Sequence, residues 1–382
     1  MVESFELFFS NNEYERRHKN IRAMMQERDL DCLIITGHTG ACLAAAADTL
    51  YVAGVRPLLE GAYIVFPFSG QPVNIVGNIA HASGVFPTQM ASFKKGTRVR
   101  DWGTSIAQSL RDAGLEKGSI GIVSTRTMAV KEYLTMSREL PEARFVPADD
   151  IILQCRLVKS IEEIAMLRRS ASAADAGLKA IVESARPGVT ENDLVIACDQ
   201  AMAKAGGERG NFILVGSGPW DVVAGAFWPG RDKKLEKGDF VFNEITSNCS
   251  GYYTQLCCPI FLGSNPPAGF MKRLEVHKAM QQTAYDNFRT GSFVNDIDKI
   301  VEERAATMGE WRRAWALQSA ELAESWYKVN LQLQQGMCYV IHPWAEPSSG
   351  EGFIGHTVGY TCVTTEHKPE VLHKTPQDVV KV

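Results

Sequence analysis

The chain has 382 residues, 45% of them hydrophobic, and a formal net charge of −4. That length exceeds one typical core and predicts two domains, while a mildly acidic balance without a Lys/Arg run excludes a nucleic-acid footprint. No apolar stretch reaches membrane-spanning length, Met1–Lys19 has no signal-peptide core, and nine cysteines without a CxxC pair fit a reducing compartment. The expectation is therefore a cytoplasmic protein with no membrane or nucleic-acid partner.

In chain order, Glu13–Arg28 is charged, with Ile21, Met24 and Met25 at helical spacing. Asp31–Thr36, Ala62–Pro67, Val73–Val76 and Gly118–Val123 are short apolar runs suited to buried strands, with Ser69-Gly70 as a turn. Alternating strands and helices predict an N-terminal α/β domain over residues 1–156. The boundary falls near Cys155–Ser160. Ser160 followed by Glu163 is a capping-box pattern, and Ile164, Leu167, Ala171, Ala174, Leu178 and Ile181 then keep one helical face until Pro187-Gly188. Thr190 with Asp193 starts a second helix that stops at Gly206-Gly207. Strands are expected between Asn211 and Leu262, a third helix over Gly269–Arg289, and a fourth from Val294. Cys338–Ile341 and Thr361–Thr365 are strand-like again. Helices outside a curved antiparallel sheet make residues 157–382 an α+β domain.

Certain motifs carry a resemblance. Leu157–Arg168 resembles the junction between the N-terminal and catalytic domains of the creatinase/aminopeptidase P family (peptidase M24), whose catalytic domain is the pita-bread fold. Tyr51-Val-Ala-Gly54, Lys237–Tyr253, Gln335-Gly-Met337, Thr365-Glu366 and Pro369–Leu372 are similar to family segments, so the resemblance spans roughly Glu13 to Leu372. It implies an N-terminal creatinase-type domain before a pita-bread domain, and a homodimer.

The family's metallopeptidases hold two divalent ions with two Asp, one His and two Glu, and bridging carboxylates let the ions share a nucleophilic water. Laid on that pattern, the two Asp positions read Glu244 and Gln255. The histidine segment is absent: Gly309 reaches Gln335-Gly-Met337 through Trp311, Trp315, Glu321 and Trp326. The first Glu position reads His342, and the second falls near Gly359 or, with a shifted gap, near His356. The resemblance thus implies no metal and no other cofactor here. Creatinase is the family's metal-free member, and Ser250–Thr254 is similar to it. Its histidine position, however, falls on Ala226 or Phe227, and its two glutamate positions fall on Cys257 and His342.

Each candidate residue has two readings. Glu244 is either a cavity-facing acid or a carboxylate satisfied by a neighbour. His342 is either an imidazole beside Glu244, making an acid/base pair, or a hydrogen-bonded core residue. His356, in a glycine-rich stretch, is a mobile acid or an exposed loop residue. Gln255 is an orienting donor, and Cys257 is a thiolate nucleophile or a small core residue. Trp220, Phe227, Trp228, Tyr252, Tyr253 and Trp344 are either core aromatics or an aromatic wall around a small-molecule substrate, and Arg56 is either a surface arginine or, as the resemblance to a dimeric family implies, a substrate-carboxylate anchor supplied across the dimer. The resulting expectation is a metal-independent hydrolase or lyase cleaving a C–N or related bond. A catalytically inactive binding protein and a metal-dependent peptidase are the alternatives.

Overall fold

The computed structural model describes residues 9–38, 46–55, 61–76, 94–98, 101–208, 212–221, 230–309, 311–319, 330–348 and 357–382. The chain divides into two units, Met1–Leu157 and Val158–Val382.

Unit 1 contains α1 (Asn11–Glu27), β1 (Cys32–Gly37), α2 (Ala47–Ala53), β2 (Ala62–Pro67), β3 (Val73–Val76), β4 (Lys94–Arg98), α3 (Trp102–Asp112), β5 (Ser119–Val123), α4 (Val130–Glu139), β6 (Arg144–Pro147) and α5 (Asp149–Leu157). The sheet order is β4-β3-β2-β1-β5-β6. β1 runs parallel to β5 and antiparallel to β2. Every residue of β1 and β2 is buried, because both sheet faces are covered. Leu33, Ile35, Ile64 and Phe66 pack with Ile21 and Met25 of α1. Cys32, Ile34, Tyr63 and Val65 pack with Ile106, Leu110 and Met136 of α3 and α4. The buried Arg17 lies 4.2 Å from the Phe9 ring and 4.5 Å from the Tyr51 ring, with its charge met by Glu13 at 2.7 Å.

Unit 2 begins with α6 (Ile161–Ser184) and α7 (Glu191–Lys204). Ser160 accepts the Glu163 N–H at 3.2 Å, and the Glu163 carboxylate accepts the Ser160 N–H at 2.8 Å. Thr190 and Asp193 repeat the device. Ser160→Ala is expected to lower stability by about 1 kcal/mol, the ordinary loss for an N-cap, measurable as a fall in urea midpoint at unchanged slope. An unchanged midpoint would show that the cap is redundant.

Strands β7 (Ile213–Gly218), β8 (Phe240–Cys249), β9 (Tyr252–Cys257) and β10 (Ile260–Phe261) follow, then α8 (Ala268–Asn287), α9 (Val294–Ala306), β11 (Trp311–Ser319), β12 (Cys338–Pro347), β13 (Gly359–Val363), β14 (Glu370–Val371) and β15 (Val380–Lys381). They form one mixed sheet, ordered β11-β12-β13-β9-β8-β10-β15, with β7 also on β8 and β14 on β13. Leu178, Ile181, Leu194, Cys198 and Met202 of α6 and α7 cover Val241, Ile245, Leu256 and Tyr360 on one sheet face. β11 was not an expected element. Residues 311–319 read in sequence only as a stretch without the family histidine, whereas here they pair with β12 along its length. Among the described residues, no helix is long and apolar enough to cross a membrane.

Candidate functional site

Strand register builds the site. β8 and β9 are joined by Ser250-Gly251, both at positive φ (54° and 87°), the requirement of the tight hairpin turn that matches strand twist. The Glu208 carboxylate accepts the Ser250 N–H at 2.7 Å and an Asn248 amide N–H at 2.8 Å. The turn fixes Cys249 opposite Tyr252, and hence Thr246 opposite Gln255. A slip of one residue would turn Gln255 to the other face.

One step further along the same registers, Glu244 stands opposite Cys257, Cys257 opposite Gly359, and Gly359 opposite His342. These four form a row across β8, β9, β13 and β12. A second row beside it holds Thr246, Gln255, Thr361 and Val340. Both lie on the face opposite the one that α6 and α7 cover. Four sequence candidates, Glu244, Gln255, Cys257 and His342, are thereby brought to one face.

The Gln255 amide donates to Thr246 Oγ1 at 3.2 Å and, more weakly, to Glu244 Oε2 at 3.4 Å. Its backbone N–H donates to Thr361 Oγ1 at 2.8 Å, and that hydroxyl donates back to Gln255 O at 3.2 Å. Sequence reasoning missed Thr246 and Thr361. Thr246 was within reach, because it lies two residues from Glu244 on the same strand. Thr361 was not, because its role depends on a pairing across 106 positions.

The remaining candidates are placed as follows. Cys257 is 1% exposed, and burial, with the charge of Glu244, pushes its thiol well above the usual range. That holds it protonated, contrary to the thiolate a nucleophile requires. His342 is not beside Glu244. Two strands separate β12 from β8, so at about 4.8 Å per strand the Cα atoms stand roughly 14 Å apart on a flat sheet. The two groups stand at the ends of the row, with Cys257 and Gly359 between them, and do not bond each other. Tyr253 shares the Gln255 face by alternation. Tyr252 has the opposite orientation, donating to Glu163 Oε1 at 2.7 Å and packing with Leu167 and Ala171 of α6. Trp220 is held in the aromatic core against Phe270, at 6.5 Å between centroids, and over Gly269. Trp344 lies opposite Trp315 on β12. Arg56, Phe227, Trp228 and His356 lie outside the described residues.

A two-ion centre needs several anionic oxygen donors. This face offers one carboxylate, one amide, one protonated thiol and one imidazole, and among the described residues no group of three His, Cys, Asp or Glu side chains could hold a metal ion. The described donors do not fit a pair of divalent ions.

Comparison with known proteins agrees with this architecture. The Creatinase/Prolidase N-terminal domain model matches residues 17–158, and the Metallopeptidase family M24 model matches residues 165–380. A probable dipeptidase PepE of Mycobacterium tuberculosis is 25% identical over 277 residues, 72% of each chain. A creatinase of a Bacillus species is 25% identical over 266 residues, 66% of this chain and 61% of that one. Among solved structures, an Xaa-Pro dipeptidase from Bacillus anthracis superposes with TM-score 0.80 at 18% identity, covering 97% of this chain and 100% of that chain. An X-Pro aminopeptidase from Thermotoga maritima gives 0.81 at 17% identity, covering 96% and 99%. The chain belongs to metallopeptidase family M24, with a creatinase/prolidase-type N-terminal domain preceding the pita-bread domain.

Proposed function

We propose that this chain is a metal-independent enzyme that cleaves a C–N or related bond in a small molecule, with Glu244 and His342 as its acid/base residues. The observation that carries the reading is the row Glu244–Cys257–Gly359–His342. It sets a carboxylate and an imidazole at the two ends of one row, on one sheet face. The dipeptidase and creatinase names of similar proteins support the reaction class.

For hydrolysis, Glu244 takes a proton from water as the water oxygen bonds to the substrate carbon. His342, protonated, then gives its proton to the departing nitrogen. The Gln255 amide on Glu244 Oε2 leaves Oε1 for that proton. A lyase reaction would use the same two groups, one removing a carbon-bound proton and the other protonating the leaving atom.

The second reading, a metal-dependent peptidase, is favoured by the match to the metallopeptidase model. The test is turnover of a panel of dipeptides, amides and ureas before and after exhaustive chelation and desalting. Activity that survives chelation supports the acid/base enzyme. Activity that is lost and then restored by Mn, Co or Zn returns the chain to the peptidases, and no turnover across the panel favours a non-catalytic binding protein.

A further inference from the structure

His342 and Gly359 compete for one space. A Cβ built on Gly359 would lie 2.3 Å from His342 Cβ, 3.1 Å from its Cα and 3.4 Å from its Cγ. Opposed residues on paired strands ordinarily keep Cβ atoms about 4.5–5.5 Å apart. The clash involves Cα and Cβ, so no rotation of the imidazole relieves it. Between Ile341 and Trp344, β12 advances three residues while β11 advances two, from Leu317 to Trp315. Pro343, which has no N–H for the ladder, sits within that extra step. The extra residue of β12 and its close approach to Gly359 fall on the same step of the strand.

We infer that Gly359 is a positioning residue: by lacking a side chain it admits His342 to the place above β13, so that one imidazole fills the row positions of two strands. The Cβ of His342 is thereby displaced from β12 toward β13 by about 2–3 Å relative to an ordinary opposed pair, which brings the ring nearer to Glu244 by about the same amount. The arrangement also makes a side chain at position 359 and one at position 342 mutually exclusive. A carboxylate cannot be added at Gly359 while His342 stays where it is. The catalytic meaning of this placement rests on the proposed function, whereas the packing does not.

The test combines thermal melts with NMR titration of the His342 ring, its signal assigned by comparison with His342→Gly. Gly359→Ala is expected to lower Tm by about 5–10 °C, the range for overpacking in a domain of this size. In the His342→Gly background the same substitution is expected to cost nothing measurable. The exchanged variant, His342→Gly with Gly359→Ala replaced by Gly359→His, is expected to regain an ordered imidazole signal. In both the native protein and the exchanged variant, Glu244→Gln should move the ring's titration midpoint by about 0.3 pH unit or more, as for a charge near 10 Å away.

Gly359→Ala as stable as the native protein, or equally harmful in both backgrounds, would overturn the shared space. If the melts behave as expected but Glu244→Gln moves neither ring, the positioning role is overturned together with the acid/base assignment of His342. The packing contact alone would then remain.

Discussion

Glu244→Gln is expected to lower turnover by about 10²–10⁴-fold, the usual contribution of a placed acid or base, while Tm stays within about 2 °C of the native value. The side chain is half-buried and isosteric with its replacement, and its described partner is the long 3.4 Å contact from Gln255, so little folding energy is at stake. The loss should appear in kcat, with KM nearly unchanged, because a proton-transfer group acts in the transition state. A matching loss in His342→Gln would place both groups in one step. Full activity in Glu244→Gln would remove this carboxylate from the chemistry, and with it the general base of the proposed hydrolysis.

The largest stability effect is expected at Glu191. This carboxylate is 0% exposed and accepts from the Ser217 N–H at 2.7 Å, the Ser217 hydroxyl at 2.8 Å, and Arg231 at 2.7 and 2.6 Å. Burial pushes its carboxyl upward, but the hydrogen bonds from Arg231 and Ser217 and the Arg231 charge outweigh burial and hold it below its usual value. Glu191→Ala strands the buried Ser217 N–H. The Arg231 side chain is 42% exposed and can return to water, which discounts the ion pair. The net loss is about 3 kcal/mol, or about 6–12 °C in Tm.

The pH dependence has a definite sign. Because the folded pKa is lowered, the contribution is present above the unfolded value of about 4.3. It is lost as pH falls through the folded value. Urea melts between neutral pH and acid should therefore show a steeper acid loss in the native protein than in Glu191→Ala. Parallel curves would mean that the network contributes nothing to acid stability.

The legible parts of the fold were those written locally. The capping boxes at Ser160 and Thr190 lie within four residues of sequence, and they form as the pattern requires. The buried strands of unit 1 announced themselves as unbroken apolar runs. The site was legible only in its members. Glu244 and Gln255 sit on one hairpin, but His342 joins them through β13, nearly a hundred residues away, and its close approach to Gly359 coincides with a bulge at Pro343 that strand alternation does not foresee. Tyr252 and Tyr253 do not share one aromatic wall, because a period of two sends neighbours to opposite faces, a separation that the strand pattern itself carries. Trp220 was not separable from a site residue in sequence, because its burial depends on Gly269 and Phe270 of α8.

Under the proposed function, this M24 sheet carries a carboxylate–imidazole site in place of a two-ion centre. Elemental analysis of the tag-free protein tests it most directly, after incubation with Mn, Fe, Co and Zn followed by desalting. No ion is expected to be retained in stoichiometric amount, in the native protein or in Glu244→Gln. About two ions per chain, the complement of a bridged pair, lost in Glu244→Gln, would contradict it and make Glu244 a metal ligand.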